Sequence, residues 1–175
     1  MADTRIPDYV DARKVFAQEA EIAGSMPIAG FERFRQQLTG SRGEVNFTLA
    51  FGMDGEHRRV IEGSLDANVD VLCQRCLEPV AIDLADTFAL ALVESEEQAG
   101  RLPVELDPWM APADGRLLLA DILEEQLILC MPIVSYHNVD CTPANTASAR
   151  DESNDTTQGS KPNPFAVLRD LKKPD

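Results

Sequence analysis

The sequence predicts an α+β fold, an antiparallel, barrel-like β-meander covered by one main helix, and three observations carry that expectation. Apolar residues alternate with polar ones through 45–51, 65–73 and 80–92, the period of half-buried strands. From Leu118 to Cys130 the period changes to that of a helix, with Leu119, Ile122, Leu123, Leu127 and Ile128 on one face and Asp121, Glu124 and Glu125 opposite. The length of 175 residues suits one domain of ordinary size with an appended tail.

Taken in order, Asp11 is placed to cap a short helix over 12–20 that Gly24 closes, and 21–28 allows a short extended piece before Pro27 interrupts it. Phe31, Phe34 and Leu38 at helical spacing predict a second short helix ended by Gly40, its aromatic rings serving core packing. Val45, Phe47, Leu49 and Phe51 make the first long strand. Asp54-Gly55 supplies a hairpin turn, with the glycine available for positive φ. Leu65, Ala67, Val69, Val71 and Cys73 bring the chain back, and Val80 to Leu92 forms the next strand. Acids, prolines and glycines between Glu94 and Gly115 predict a long irregular excursion that Trp109 pins to the sheet. Residues 142–163 are too polar to order themselves and read as a disordered linker. After it, Pro164, Phe165, Val167, Leu168 and Leu171 make a short amphipathic cluster over 164–173, which reads as a peptide that docks on this domain or on a partner. The expected division is therefore a domain over 1–141, a linker and a docking peptide.

The formal charge of −14 argues against sequence-independent binding to phosphate backbones. The acids concentrate from Glu78 to Glu125, where the only bases are Arg101 and Arg116. The first 75 residues are nearer balance, and Arg33, Arg35, Arg42, Arg58 and Arg59 are the candidates for a local RNA-binding face, with an ordinary solvated surface as the alternative. No run approaches the ~18 apolar residues that span a membrane. The opening residues lack the charged-then-apolar pattern of a secretory signal, so reduced thiols are expected.

Chemistry is concentrated at Cys73-Gln74-Arg75-Cys76, between two strands. Cys73 and Cys76, joined by His137 and Cys141, offer thiolates and an imidazole in the number that suits one tetrahedral, structural zinc. Reduced cysteines without metal and a redox pair are the competing readings. A thioredoxin-like CxxC opens a helix, whereas this one lies between strands and is followed by Pro79. Cys130 falls on the apolar helix and reads as a small core residue. GxSxG, Walker and GxGxxG patterns are absent, and no defensible active site emerges, so the chain is expected not to be an enzyme.

These pieces together resemble the bacterial YceD family, also called large ribosomal RNA subunit accumulation protein and formerly a domain of unknown function. The resemblance rests on Cys73-Gln74-Arg75-Cys76 after an alternating strand, on the helix 124–129 before Met131-Pro132-Ile133-Val134, and on His137 with Cys141. Most specifically, it rests on the ending Lys161-Pro162-Asn163-Pro164-Phe165-Ala166-Val167-Leu168. It implies a cytoplasmic, non-enzymatic factor in ribosome biogenesis that supports large-subunit (23S) rRNA accumulation. Its implied partner is a ribosomal protein, an assembly factor or a pre-ribosomal particle, with direct rRNA contact as a further option and no membrane. A zinc- or thiol-dependent regulatory protein is the alternative. Members of the family carry further cysteines after the helix, whereas here His137 stands at the first such position and the final CxxC is missing.

Overall fold

A computed structural model describes residues 6–141. The linker and peptide expected over 142–163 and 164–173, and with them Pro164, Phe165, Val167, Leu168 and Leu171, lie outside the described residues. The fold is α+β. Strands β2 (Glu21–Pro27), β3 (Glu44–Met53), β4 (Arg59–Leu72) and β5 (Pro79–Val93) form an antiparallel meander. A fifth strand, β6 (Asp107–Met110), joins β5 in parallel, giving the order β2-β3-β4-β5-β6. The barrel-like closure expected from the alternation is not found. β2 and β6 are the two edges of the sheet and do not pair with each other, and side chains from the helices share one core with the sheet.

Helix α1 (Ala12–Ala17) starts as anticipated, the Asp11 carboxylate accepting the backbone N–H of Lys14 at 3.1 Å. It stops three residues earlier than the spacing implied. Glu19 takes the left-handed conformation at φ 47°, and Ala20 and Glu19 donate back to the Val15 and Phe16 carbonyls, which closes the helix without a glycine. Gly24 instead lies inside β2, where an added Cβ would fall 2.6 Å from Cδ1 of Ile6. The second predicted helix is reduced to a 3-10 turn (Ile28–Gly30) and α2 (Glu32–Arg35), continued by 3-10-type bonds to Leu38. Phe31 and Phe34 are fully buried, as packing requires.

The β3–β4 turn forms at Asp54-Gly55, but its positive φ belongs to His57 at 62°. Asp54 organises the turn through its carboxylate, accepting the N–H groups of Glu56 at 2.8 Å and Arg58 at 2.9 Å. The stretch expected to be irregular contains α3 (Glu96–Ala99), capped by Ser95, and then β6. Trp109 on β6 sits opposite Leu92 and packs, half-buried, against the core. Two three-residue strands, β1 (Tyr9–Asp11) and β7 (Arg116–Leu118), pair antiparallel and deliver the chain into α4 (Leu119–Cys130).

On α4, Leu119, Ile122, Leu123 and Leu127 are completely buried with Phe51, Ile61 and Leu90 of the sheet in one core. Phe16 of α1 meets Phe51 edge-on, with centroids 5.6 Å apart. Glu124, expected on the solvated face, is buried instead. Its carboxylate accepts the backbone N–H groups of Arg33 at 2.7 Å and Phe34 at 3.1 Å and pairs with Nε of Arg33 at 3.0 Å. It supplies the cap that α2 lacks in its own sequence. Burial alone would raise its pKa, but the Phe34 N–H and Arg33 outweigh that and hold it below the ordinary carboxylate value.

Candidate metal centre

β4 ends in a tight knuckle. The Cys73 N–H donates to the Glu78 carbonyl and the Leu77 N–H to the Cys73 carbonyl, both at 2.9 Å, with Leu77 left-handed at φ 63°. This turn places Cys73 and Cys76 at one end of the sheet. The arm that follows α4 folds back over the knuckle, anchored by the Gln74 N–H on the Ser135 carbonyl at 2.9 Å. It thereby carries His137 and Cys141 to the two thiols, across more than sixty residues of sequence.

The four ligand atoms lie within 4.8 Å of one another. Sγ of Cys73 is 3.6 Å from Sγ of Cys141, and Sγ of Cys76 is 3.4 Å from Nδ1 of His137. A tetrahedral zinc, with Zn–S of about 2.3 Å and Zn–N of about 2.0–2.1 Å, sets S···S edges of about 3.8 Å and S···N edges of about 3.6 Å. The donor set and both short edges therefore fit a closed metal site. Nε2 of His137 is 3.1 Å from the Pro79 carbonyl. Donating its proton there leaves the Nδ1 lone pair directed at the thiols, the arrangement by which an outer partner orients a ligating imidazole.

The surroundings prepare the ligand charges. Burial opposes ionisation of Cys73, but the backbone N–H groups of Cys76, Arg75 and His137 outweigh it and pull the thiol down to about 5. Burial, with the hydrogen bonds of Cys76 and Cys73, pushes Cys141 up to about 11. One thiol thus gives up its proton readily while another acts as its donor. All four cysteines are free thiols. Cys130 stands outside the cluster, half-buried against the core, its thiol raised by burial and then by Asp86.

Sequence reasoning missed the clamp around this centre. Arg75 reaches the Asp140 carboxylate and the His137 carbonyl, each at 3.3 Å, and its guanidinium lies 5.4 Å from the Tyr136 ring centroid. The signal was an arginine between the two cysteines of a CxxC, where a cation would offset the excess negative charge of three thiolates if a divalent ion were bound.

Three of the five candidate RNA-binding arginines are engaged in ion pairs, and Arg42 stands far from Arg58 and Arg59. Arg42 precedes β3 and Arg58 and Arg59 follow its far end, and ten extended residues separate those ends by about 30 Å. Arg33 is paired with Glu124 and Glu125, Arg58 with Asp54 and Glu56, and Arg59 with Glu94. Arg35 and Arg42 are exposed, with no ion pair among the described residues.

An open sheet backed by helices, with a three-thiol, one-imidazole cluster where its C-terminal arm meets the knuckle, defines a small α+β domain with a candidate metal site. The chain belongs to the family described as Large ribosomal RNA subunit accumulation protein YceD, whose model matches residues 61–172 and so includes the knuckle, α4 and the arm. It is similar to the Large ribosomal RNA subunit accumulation protein YceD of Haemophilus influenzae (strain ATCC 51907 / DSM 11121 / KW20 / Rd), with 28% identity over 173 residues covering 99% of each chain. No solved structure matches it. No helix among the described residues is long and apolar enough to cross a membrane.

Proposed function

We propose that this protein is a non-catalytic, cytoplasmic ribosome-biogenesis factor that supports accumulation of large-subunit rRNA by binding a protein or ribonucleoprotein partner. The observation that carries this reading is the family match, which runs through the knuckle, α4 and the arm and whose description names an accumulation role rather than a reaction. One structural zinc on Cys73, Cys76, His137 and Cys141 holds the arm to the knuckle. Support for it comes from the two short ligand edges and from the imidazole fixed on Pro79. Residues 164–173 serve as a docking peptide beyond a linker over 142–163, with Phe165, Leu168 and Leu171 as its apolar contacts. Direct rRNA contact is the weaker route, since only Arg35 and Arg42 of the five arginines lack a paired carboxylate among the described residues.

The test is complementation in a bacterial strain lacking its own family member, read as the ratio of large- to small-subunit rRNA. The full chain restores the ratio. Cys73→Ser and a chain truncated before Lys161 restore it less. A full-length chain that is well expressed and leaves the ratio unchanged overturns the proposal.

A zinc- or thiol-dependent regulator is the second reading, favoured by the depressed Cys73 thiol beside Cys141. Rapid metal loss and a changed partner affinity on mild oxidation would favour it. A centre that keeps its metal through the same treatment leaves only the structural role.

A further inference from the structure

The main core lies on one side of the sheet; on the other, Val60, Ala91 and Val93 are buried at one end, and the remainder of that side is exposed. There, beyond Val60 and Ala91, the side chains that alternate with the core residues of β2 to β5 are exposed or half-exposed. The strand register places Glu21, Ala50 and Glu62 in one row and Ser25, Asn46, Asp66 and Ala85 in another, with Asn68 beside Asp83 and Asp70 beside Ala81. Glu21, Glu44, Glu62, Asp66, Asp70 and Asp83 are all exposed. Between them stand mainly alanine, serine, threonine and asparagine, so little projects from the surface. β2, β3 and β5 contain no lysine or arginine, and Arg59 at the start of β4 is turned to Glu94.

Nothing within the described domain neutralises this face. None of its ion pairs uses any of the six carboxylates. Three carboxylates are also held in place by neighbours on the same face, Glu44 by the Ser25 hydroxyl at 3.0 Å, Asp66 by the Asn46 amide at 2.8 Å and Asp83 by the Asn68 amide at 2.6 Å. Fixing them beforehand lowers the entropy that a partner must overcome.

We infer that the uncovered face of this sheet is a docking surface for an extended, lysine- and arginine-rich segment of a protein partner. This rests on the proposed ribosome-biogenesis role and adds the chemistry of the partner. Charge decides between the two macromolecules such a role offers, because the face repels a phosphate backbone and attracts a basic polypeptide. Size agrees with a single segment. Four strands about 4.8 Å apart and some eight residues long cover roughly 400 Å², half of the ~800 Å² that one side of a standard protein interface buries. Such a contact forms quickly and weakens with salt.

The experiment measures binding of the full chain to a fluorescein-labelled peptide in which lysine alternates with threonine, at low and at physiological salt. The probed variant carries Glu62→Gln, Asp66→Asn, Asp70→Asn and Asp83→Asn, which keep side-chain shape and the asparagine contacts. The control variant removes the same charge elsewhere through Glu96→Gln, Glu105→Gln, Asp107→Asn and Asp121→Asn. The sheet-face variant is expected to bind about tenfold more weakly, the control within about twofold of wild type. Equal weakening in both variants, or binding of a single-stranded RNA oligonucleotide as tight as that of the peptide, overturns the inference. In the complementation assay, a sheet-face variant that restores rRNA as fully as wild type also overturns it and leaves the proposed function standing. Failure of the wild-type chain in that assay overturns the function itself.

Discussion

Replacing Glu124 should destabilise the domain more than any other substitution of a charged residue on α4. Its carboxylate receives three hydrogen bonds, from the Arg33 and Phe34 backbone and from the Arg33 side chain, and it is buried. Glu124→Gln keeps one oxygen for the backbone donors but loses the charge and turns an amide N–H₂ toward a guanidinium, so a loss of about 1.5–3 kcal/mol is expected. Glu124→Ala removes every acceptor and leaves the Phe34 N–H buried without a partner, so its cost should exceed that of the glutamine variant by about 1 kcal/mol or more. Urea denaturation at neutral pH measures both.

Acid supplies the discriminating control. The folded pKa of Glu124 is lowered, so its contribution is complete above the unfolded carboxylate value of about 4.3 and disappears as pH falls through the lower folded value. The gap between wild type and Glu124→Gln should therefore be full at neutral pH and shrink below about pH 4. A glutamine variant within about 0.5 kcal/mol of wild type at neutral pH, or a gap independent of pH, refutes the capping argument.

Three further outcomes follow from other parts of the fold. Purified chain should hold close to one equivalent of zinc by mass spectrometry under native conditions, and Cys73→Ser or His137→Ala should hold far less. In metal-free protein, thiolate absorbance should show Cys73 ionised at neutral pH and titrating near pH 5, whereas a group first titrating above pH 8 contradicts the part played by the backbone donors. Gly63→Ala would set a Cβ 2.2 Å from Cζ of Phe88, so the variant should lose about 1–3 kcal/mol in urea melts, with Phe88→Ala in the same chain restoring part of the difference.

The strands of the meander were legible because Val45 to Phe51 and Leu65 to Cys73 face a core on one side and water on the other, which writes a period of two into the sequence. The core face of α4 was legible for the same reason at a different period. β6 was hidden because four residues with a proline among them carry no period, and its pairing with β5 depends on a crossover that no local pattern specifies. Helix α1 ended early because a glutamate took the conformation usually given to glycine, while Gly24 answered to the neighbouring Ile6 side chain. Glu124 misled for a related reason. Its position in the helical repeat is polar, and only the docking of α2 makes that position an interior one.

The candidate ligands were readable as residue types and as an order along the chain, and the juxtaposition of all four was the part that only three-dimensional structure reports. Arg75 was in plain view without its task, because Asp140, His137 and Tyr136 reach it only after the arm has folded back. Which arginines lie near one another was not legible locally: Arg42 and Arg58 stand beyond opposite ends of β3.

The return of the arm to the knuckle also orders events during synthesis. β2 through β5 pair with their immediate neighbours in sequence, β3–β4 and β4–β5 across short turns and β2–β3 across the segment that holds α2, so the meander can assemble as the chain emerges. Cys73 and Cys76 are exported early and wait while some sixty more residues are made before His137 and Cys141 arrive. A metal ion captured by the first two thiols alone would be held by half a site. Closing of the arm over the knuckle is therefore a late step, timed by translation of His137 and Cys141, and a chain that ends before Cys141 leaves the sheet with that fastening undone.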